Sequence, residues 1–293
     1  MPDSKTSPTT GEVVAAAVRT ASADVVRTEP AALADEPDGV HQQRVRVRRL
    51  RSVLAGFRGS LDTRSADGLR VRFAEWGREL GVVRDIEVRA AVAEEALERA
   101  GIDDPRVVGR LVDSERDAYA AAHARLVELA QSPRAAQRAR VLTEFAAAAV
   151  VVDAESDAAP LVAAVLAKQA GRVRKAARRI DGSAEGYHDL RKSARRLRYV
   201  AEAIAEAAPD LYPDEVEALA ETGDALHEAL GGHRDAVLFA EHVAREAARA
   251  VRAGEPTEAY ARIEAEARLA AADHLTEVPE AVRRLRDAAS HLL

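Results

Sequence analysis

Apolar residues recur at helical spacing through almost the whole chain, and the interruptions fall at Pro, Gly or Asp clusters. The pattern predicts helices near 11–27, 39–59, 66–100, 105–131, 134–152, 158–180, 186–208, 213–231, 234–253, 257–273 and 279–292. Some ends carry chemical markers: Asp38-Gly39 opens the second helix, Ser132-Pro133 the fifth, and Asp181-Gly182 closes the sixth. Ala, Arg, Glu, Leu and Val dominate and aromatic residues make up only 3%, a composition that favours helices over sheets.

One polar signature occurs twice. His41, Arg44, Arg48, Arg49, Leu50 and Arg51 recur as His188, Arg191, Arg195, Arg196, Leu197 and Arg198 at one constant offset, and Leu80-Gly81-x-x-Arg84-Asp85 recurs as Leu230-Gly231-x-x-Arg234-Asp235. Two motifs repeating in the same order indicate an internal duplication with its junction in 150–160. The expected fold class is therefore all-α, as two pseudo-twofold-related helical bundles, each a four-helix-type unit. The expected organisation is a flexible tail over 1–10, an N-terminal bundle over 11–155 and a C-terminal bundle over 156–293.

On a helical wheel His41, Arg44, Arg48 and Arg51 fall within an arc of roughly 80°, with Arg58 beside them. Val47, Leu50, Val53, Leu54 and Phe57 occupy the opposite side, so the helix should bury one face and project a basic stripe from the other. The second copy repeats this, with His188, Arg191, Arg195 and Arg198 as the stripe and Lys192 flanking it. Leu190, Leu197, Val200, Ala201 and Ile204 face inward, and Arg49 and Arg196 sit on the shoulders. Lys168, Arg172, Lys175 and Arg179, spaced 4, 3 and 4, add a row on the preceding helix that the first copy lacks.

Charge sharpens the picture. Residues 40–58 hold six Arg and no acid, and residues 168–198 hold eleven Arg or Lys against Asp181, Glu185 and Asp189, although the whole chain carries −6. An acidic chain that concentrates positive charge in two matching places implies an anionic partner. Like charges about 5–6 Å apart along a helix repel one another, and a polyanion lying on the stripe would remove that repulsion. Arg suits the task because its planar guanidinium gives paired hydrogen bonds to phosphate oxygens. An isolated His41 or His188 would read as a cap or core histidine; identical placement one turn before an Arg stripe favours ligand contact.

Other chemistry lacks its residues. With no cysteine there is no disulfide, thiolate metal site or cysteine nucleophile. No signal-peptide pattern follows the polar start, and the longest apolar run, 145–152, is too short to span a bilayer, so a soluble chain is expected. Phosphate-binding glycine loops, H-E-x-x-H and G-x-S-x-G are absent. His227, His233 and His242 are not spaced as a helical chelating pair, so no metal or other cofactor is expected. For Arg84-Asp85 and Arg234-Asp235 an inter-helix ion pair is the simpler expectation; Trp76 and Tyr199 are expected as core or interface residues, and Glu264-x-Glu266-x-Arg268 on a solvated helix face.

Val40-His41-Gln42-Gln43-Arg44-Val45 with Arg48-Arg49-Leu50-Arg51, and His188-Asp189-Leu190-Arg191-Lys192 with Arg195-Arg196-Leu197-Arg198-Tyr199, resemble the CHAD family, histidine-containing α-helical domains that bind inorganic polyphosphate. Leu80-Gly81-Val82-Val83-Arg84-Asp85 is similar to that family's other recurring element. The resemblance covers nearly the whole chain after the tail, and Arg46 departs from it where a small residue is usual. It implies bundles around a basic central groove or pore. It implies polyphosphate binding by His41, Arg44, Arg48, Arg49, Arg51, Arg58, Lys168, Arg172, Lys175, Arg179, His188, Arg191, Lys192, Arg195, Arg196 and Arg198. The lack of cysteine and of an export signal leads to the expectation of a cytoplasmic protein, and the resemblance implies association with polyphosphate granules, with granule-associated proteins as further partners. Enzymatic phosphate transfer is not expected, because no acidic cluster for Mg²⁺ accompanies the stripe. A nucleic-acid-binding or nucleoid-associated scaffold is the alternative, weakened by the lack of aromatic residues interleaved with the stripe.

Overall fold

The helical periodicity is realised almost element for element. The computed structural model describes residues 7–292, and among these the only non-helical pairing is two isolated β-bridges. The helices are α1 (Thr10–Leu33), α2 (Gly39–Gly56), α3 (Thr63–Ala100), α4 (Pro105–Val108), α5 (Ser114–Ala130), α6 (Pro133–Ala147), α7 (Ala158–Ala177), α8 (Ala184–Ala207), α9 (Pro213–Arg252), α10 (Glu258–Asp273) and α11 (Val278–Ala288).

Among the predicted boundaries that move, four have a clear local reason. The predicted helices 213–231 and 234–253 are one helix, α9, because Gly231-Gly232 costs only about 1 kcal/mol per glycine relative to Ala and buried Leu226, Leu230, Phe239 and Val243 continue the apolar face across it. α1 runs past Pro30 to Leu33, closed by the Ala34 N–H donating to the Pro30 carbonyl at 2.9 Å. Between α4 and α5 the predicted single helix widens into a π-turn, Gly109–Asp113, which carries Arg110; its guanidinium donates to Glu255 at 2.9 and 2.8 Å. α6 stops at Ala147, and the β-branched Val150 to Val152 segment bridges instead to Leu61, with Asp153 in a left-handed turn.

Several caps behave as their chemistry dictates, while Asp38 and Thr257 make no side-chain cap bond. Thr9 and Glu12 form a reciprocal capping box on α1, and Ser132 and Ser183 accept backbone N–H groups at the starts of α6 and α8. Asp38 stands at the N-cap of α2, but at φ 61° its carboxylate takes the Gln42 side chain rather than a backbone N–H. Residues 1–6 of the expected tail lie outside the described residues. Pro8 and Thr10 are tied down, the first accepting from Ala158 N–H at 3.0 Å and the second donating to the Ser156 carbonyl at 2.8 Å.

The chain divides into two compact units. One runs to Arg78, adds Ala130–His227 and resumes at Pro279; the other is Glu79–Leu129 with Glu228–Val278. Each unit therefore draws on both sequence halves. Inside the first, α1 packs on α2, α7 on α8, and α2 on α8. Leu50 and Leu197, at equivalent repeat positions, are both fully buried. A buried leucine contributes roughly 1.5–3 kcal/mol, so apolar anchoring rather than charge fixes how each stripe helix is rotated. Trp76 and Tyr199 are buried as expected, and the Arg138 guanidinium lies 4.2 Å from the Trp76 ring centroid. In the second unit Leu97, Leu111, Phe239, Val243, Tyr260 and Ile263 form a separate apolar cluster.

Candidate anion-binding site

The site is built on the crossing of α2 and α8. At Gly56 a Cβ would come within 2.6 Å of Val200 Cγ2, so the small residue lets the two backbones approach. With Leu50, Val53, Leu197 and Val200 buried, the half-buried Arg48 and Arg51 of α2 meet the half-buried Arg191 and Arg195 of α8. Burial, followed by the charges of Arg48 and Arg191, pushes Arg195 down to about 9, which leaves it cationic at neutral pH. Arg196 is held below the ordinary arginine value by burial and then by Arg172, Arg70 and Arg51. Arg51 is lowered in the same way, by burial and then by Arg70 and Arg78. Guanidiniums from α2, α3, α7 and α8 thus share one positive field. Among the described residues no carboxylate lies within ion-pair distance of Arg48, Arg51, Arg195 or Arg196, and Arg48 Nε is buried without a hydrogen-bond partner.

A groove of about 490 Å³ continues this field between α7 and α8. Arg172, Lys175, Arg179, Lys192 and Arg196 line it, together with Asp181, Glu185 and Asp189. Arg196 belongs both to the groove and to the inner cluster, so the two are continuous through its side chain. Arg179 does not extend a helical row as its spacing predicted: α7 ends at Ala177 and Arg179 sits in the following turn. Lys168 is exposed on α7, outside the groove lining. His188 is exposed at the start of α8, and its pKa is lowered by partial burial, then Lys192 and Arg195. His41 and Arg44 are half-buried on the first two turns of α2.

Among the described residues, Arg49, Arg58 and Arg198 of the expected set are occupied by carboxylates. Arg49 is buried, with Nη2 2.6 Å from Glu206 and Nη1 3.7 Å from Asp24, so it ties α2 to α1 and α8 rather than facing the cluster. Asp24 also lies 3.4 Å from Arg46, which gives that residue a structural role in tying α2 to α1. Arg58 is exposed beyond α2 and donates twice to Asp67. Arg198 is bridged by Glu202 at 2.6 Å and by Asp224. Conversely, Arg70 and Arg78 of α3 and His227 of α9 join the field without belonging to either motif. Gly223 brings α9 against α8, since a Cβ there would meet Arg198 N at 2.9 Å, and His227 follows one turn later. Its Nε2 is buried without a hydrogen-bond partner. Burial and then Arg191, Arg48, Arg195 and Arg198 push its pKa down to about 2.

The other flagged residues have local partners in the second unit. Arg234 lies 3.9 Å from Asp85 and 3.5 Å from Asp235, and Arg84 pairs with Glu87 at 2.9 Å. His233 Nδ1 is 2.8 Å from the Ala271 carbonyl, and Glu264 pairs with Arg268 on α10. Among the described residues no group of His and acids is arranged to hold a metal, and no helix is long and apolar enough to cross a membrane.

A family model described as CHAD domain matches residues 16–244, a span that includes both motif copies and the helices that carry them. The chain belongs to the CHAD domain family. This CHAD fold is shared with PptA from Streptomyces chartreusis at TM-score 0.69 and 22% identity, covering 96% of this chain and 99% of that one. It is shared also with the CHAD domain from the plant Ricinus communis at TM-score 0.68 and 24% identity, covering 98% and 93%. Among curated proteins, the uncharacterized protein Rv2226 of Mycobacterium tuberculosis is 28% identical over 269 residues, 87% of this chain and 50% of that protein. The chain thus spans about half the length of the curated relatives it matches. CHAD domains are associated with polyphosphate.

Proposed function

We propose that this CHAD domain binds inorganic polyphosphate without catalysis, in the cytoplasm and at polyphosphate granules. The observation that carries the reading is the meeting of Arg48 and Arg51 with Arg195 and Arg196, four guanidiniums from both motif copies with no carboxylate partner among the described residues. Mutual repulsion and burial make such a cluster unfavourable when empty, and a chain of phosphates supplies both the charge and the acceptors it lacks. The groove lined by Arg172, Lys175, Arg179 and Lys192 offers the same chain a continuation.

Retention on immobilised long-chain polyphosphate tests this directly. The Arg48→Glu/Arg195→Glu double variant is expected to lose retention while keeping wild-type helicity by circular dichroism; unchanged retention removes the cluster from the site. Wild-type binding should weaken steeply as salt rises, because each neutralised phosphate releases counterion. Double-stranded DNA should be displaced by polyphosphate far more readily than the reverse. Incubation with polyphosphate and Mg²⁺ should release no orthophosphate.

A further inference from the structure

We infer that His227 is a ligand-contacting residue of the polyanion site and that it takes up a proton when the polyanion binds. The inference rests on the polyphosphate reading of the site and adds to it a residue outside both repeated motifs and a proton coupled to binding.

His227 lies on α9 one turn beyond Gly223, where α9 and α8 are in backbone contact. Arg48 faces it from α2, and Arg191, Arg195 and Arg198 face it from α8. Among the described residues, Asp224 on its own helix and Glu202 on α8 are acids close to these groups, and both are engaged with Arg198. The imidazole is therefore surrounded by cations while its Nε2 is buried and has no acceptor or donor opposite it. Such an atom is costly to leave unsatisfied in a folded protein. In the empty site the ring stays neutral, because a further positive charge would be repelled by the guanidiniums and could not be hydrated. A phosphate chain among the same guanidiniums reverses the sign of the field at the ring. Protonation then becomes favourable, and the imidazolium Nε2–H donates to a phosphate oxygen. Only a proton from solvent is added, so the step balances without any covalent change.

The sign of the pH dependence follows. A base whose folded pKa is depressed binds fewer protons folded than unfolded, so the ligand-free protein loses stability as pH falls below the ordinary histidine value of about 6.5. Bound polyphosphate opposes this, and affinity rises as pH falls through the same range.

Two measurements on the intact chain test the inference. In the first, histidine-labelled protein is titrated by NMR with and without short-chain polyphosphate, the His227 signal being assigned by its loss in His227→Gln. The expected result is a ring that stays neutral to about pH 5 in the free protein and is protonated near neutrality in the complex. In the second, calorimetry in two buffers of different ionisation enthalpy gives the protons taken up on binding. The wild type should take up on the order of one proton more than His227→Gln near pH 6. Polyphosphate that binds the wild type while the His227 ring remains neutral, or equal proton uptake by wild type and variant, overturns the inference and leaves the binding reading standing. Failure of the wild type to bind polyphosphate at all overturns both. Should His227→Gln fold poorly, the wild-type NMR titration still decides, since it needs the variant only for assignment and selective labelling can replace it.

Discussion

α2 and α8 carry the same motif, yet they make different guanidiniums available. Arg48 and Arg195, at equivalent positions, both enter the cluster. At the next equivalent pair the roles diverge: Arg49 is locked between Asp24 and Glu206, whereas Arg196 faces the cluster and the α7–α8 groove. At the following pair they are reversed, Arg51 being open and Arg198 bridged by Glu202 and Asp224. The cause lies in the acids around the motif. At the offset that relates His41 to His188, Asp24 corresponds to Gly171, Glu206 to Gly59, and Glu202 to Ala55. A repeated motif therefore fixes which residue types are presented, and the unrepeated acids beside it decide which of them are occupied by a carboxylate and which stay open to a ligand.

Transplanting those acids should break the asymmetry. Ala55→Glu places a carboxylate one turn beyond Arg51, as Glu202 stands to Arg198, and Gly171→Asp places one where Asp24 serves Arg49; Gly171 has open space around a Cβ. A lost hydrogen bond to a charged group is worth about 1.5–3 kcal/mol, so each change should weaken polyphosphate binding roughly tenfold or more, and the pair roughly a hundredfold, by calorimetry. Arg49→Ala should act on the other side of the comparison. Removing a buried, paired guanidinium should cost about 2 kcal/mol of stability in urea denaturation while leaving the affinity of the folded protein unchanged. Glu202→Ala should have the smallest effect, a few-fold gain in affinity, because Arg198 is released from one of its two carboxylates.

Much of this arrangement was legible in the sequence. The helices, the inward Leu50 and Leu197, and the outward Arg48 and Arg195 all follow from the 3.6-residue period, which is a local property. The pairing of Arg49 and Arg58 was not, because it depends on Glu206 and Asp67, residues brought near by packing; for Arg198 the Glu202 partner one turn on follows from spacing, but Asp224 does not. Arg70 and Arg78 were missed because α3 carries no repeated basic motif. His227 was weighed only as a metal ligand, and its place among arginines follows from the α8–α9 contact at Gly223, which no single-helix pattern encodes. The continuous α9 was hidden by two glycines that read as a break. The end of α6 was hidden by an Ala- and Val-rich run that could serve equally as helix or bridge.

A crystal structure with short-chain polyphosphate tests the central claim most directly. The account predicts one phosphate chain whose oxygens lie within hydrogen-bond distance of Arg48 and Arg51 from the first motif copy and of Arg195 and Arg196 from the second. Phosphates confined to the groove of Arg172, Lys175 and Arg179, with Arg48 and Arg195 bare, would contradict it.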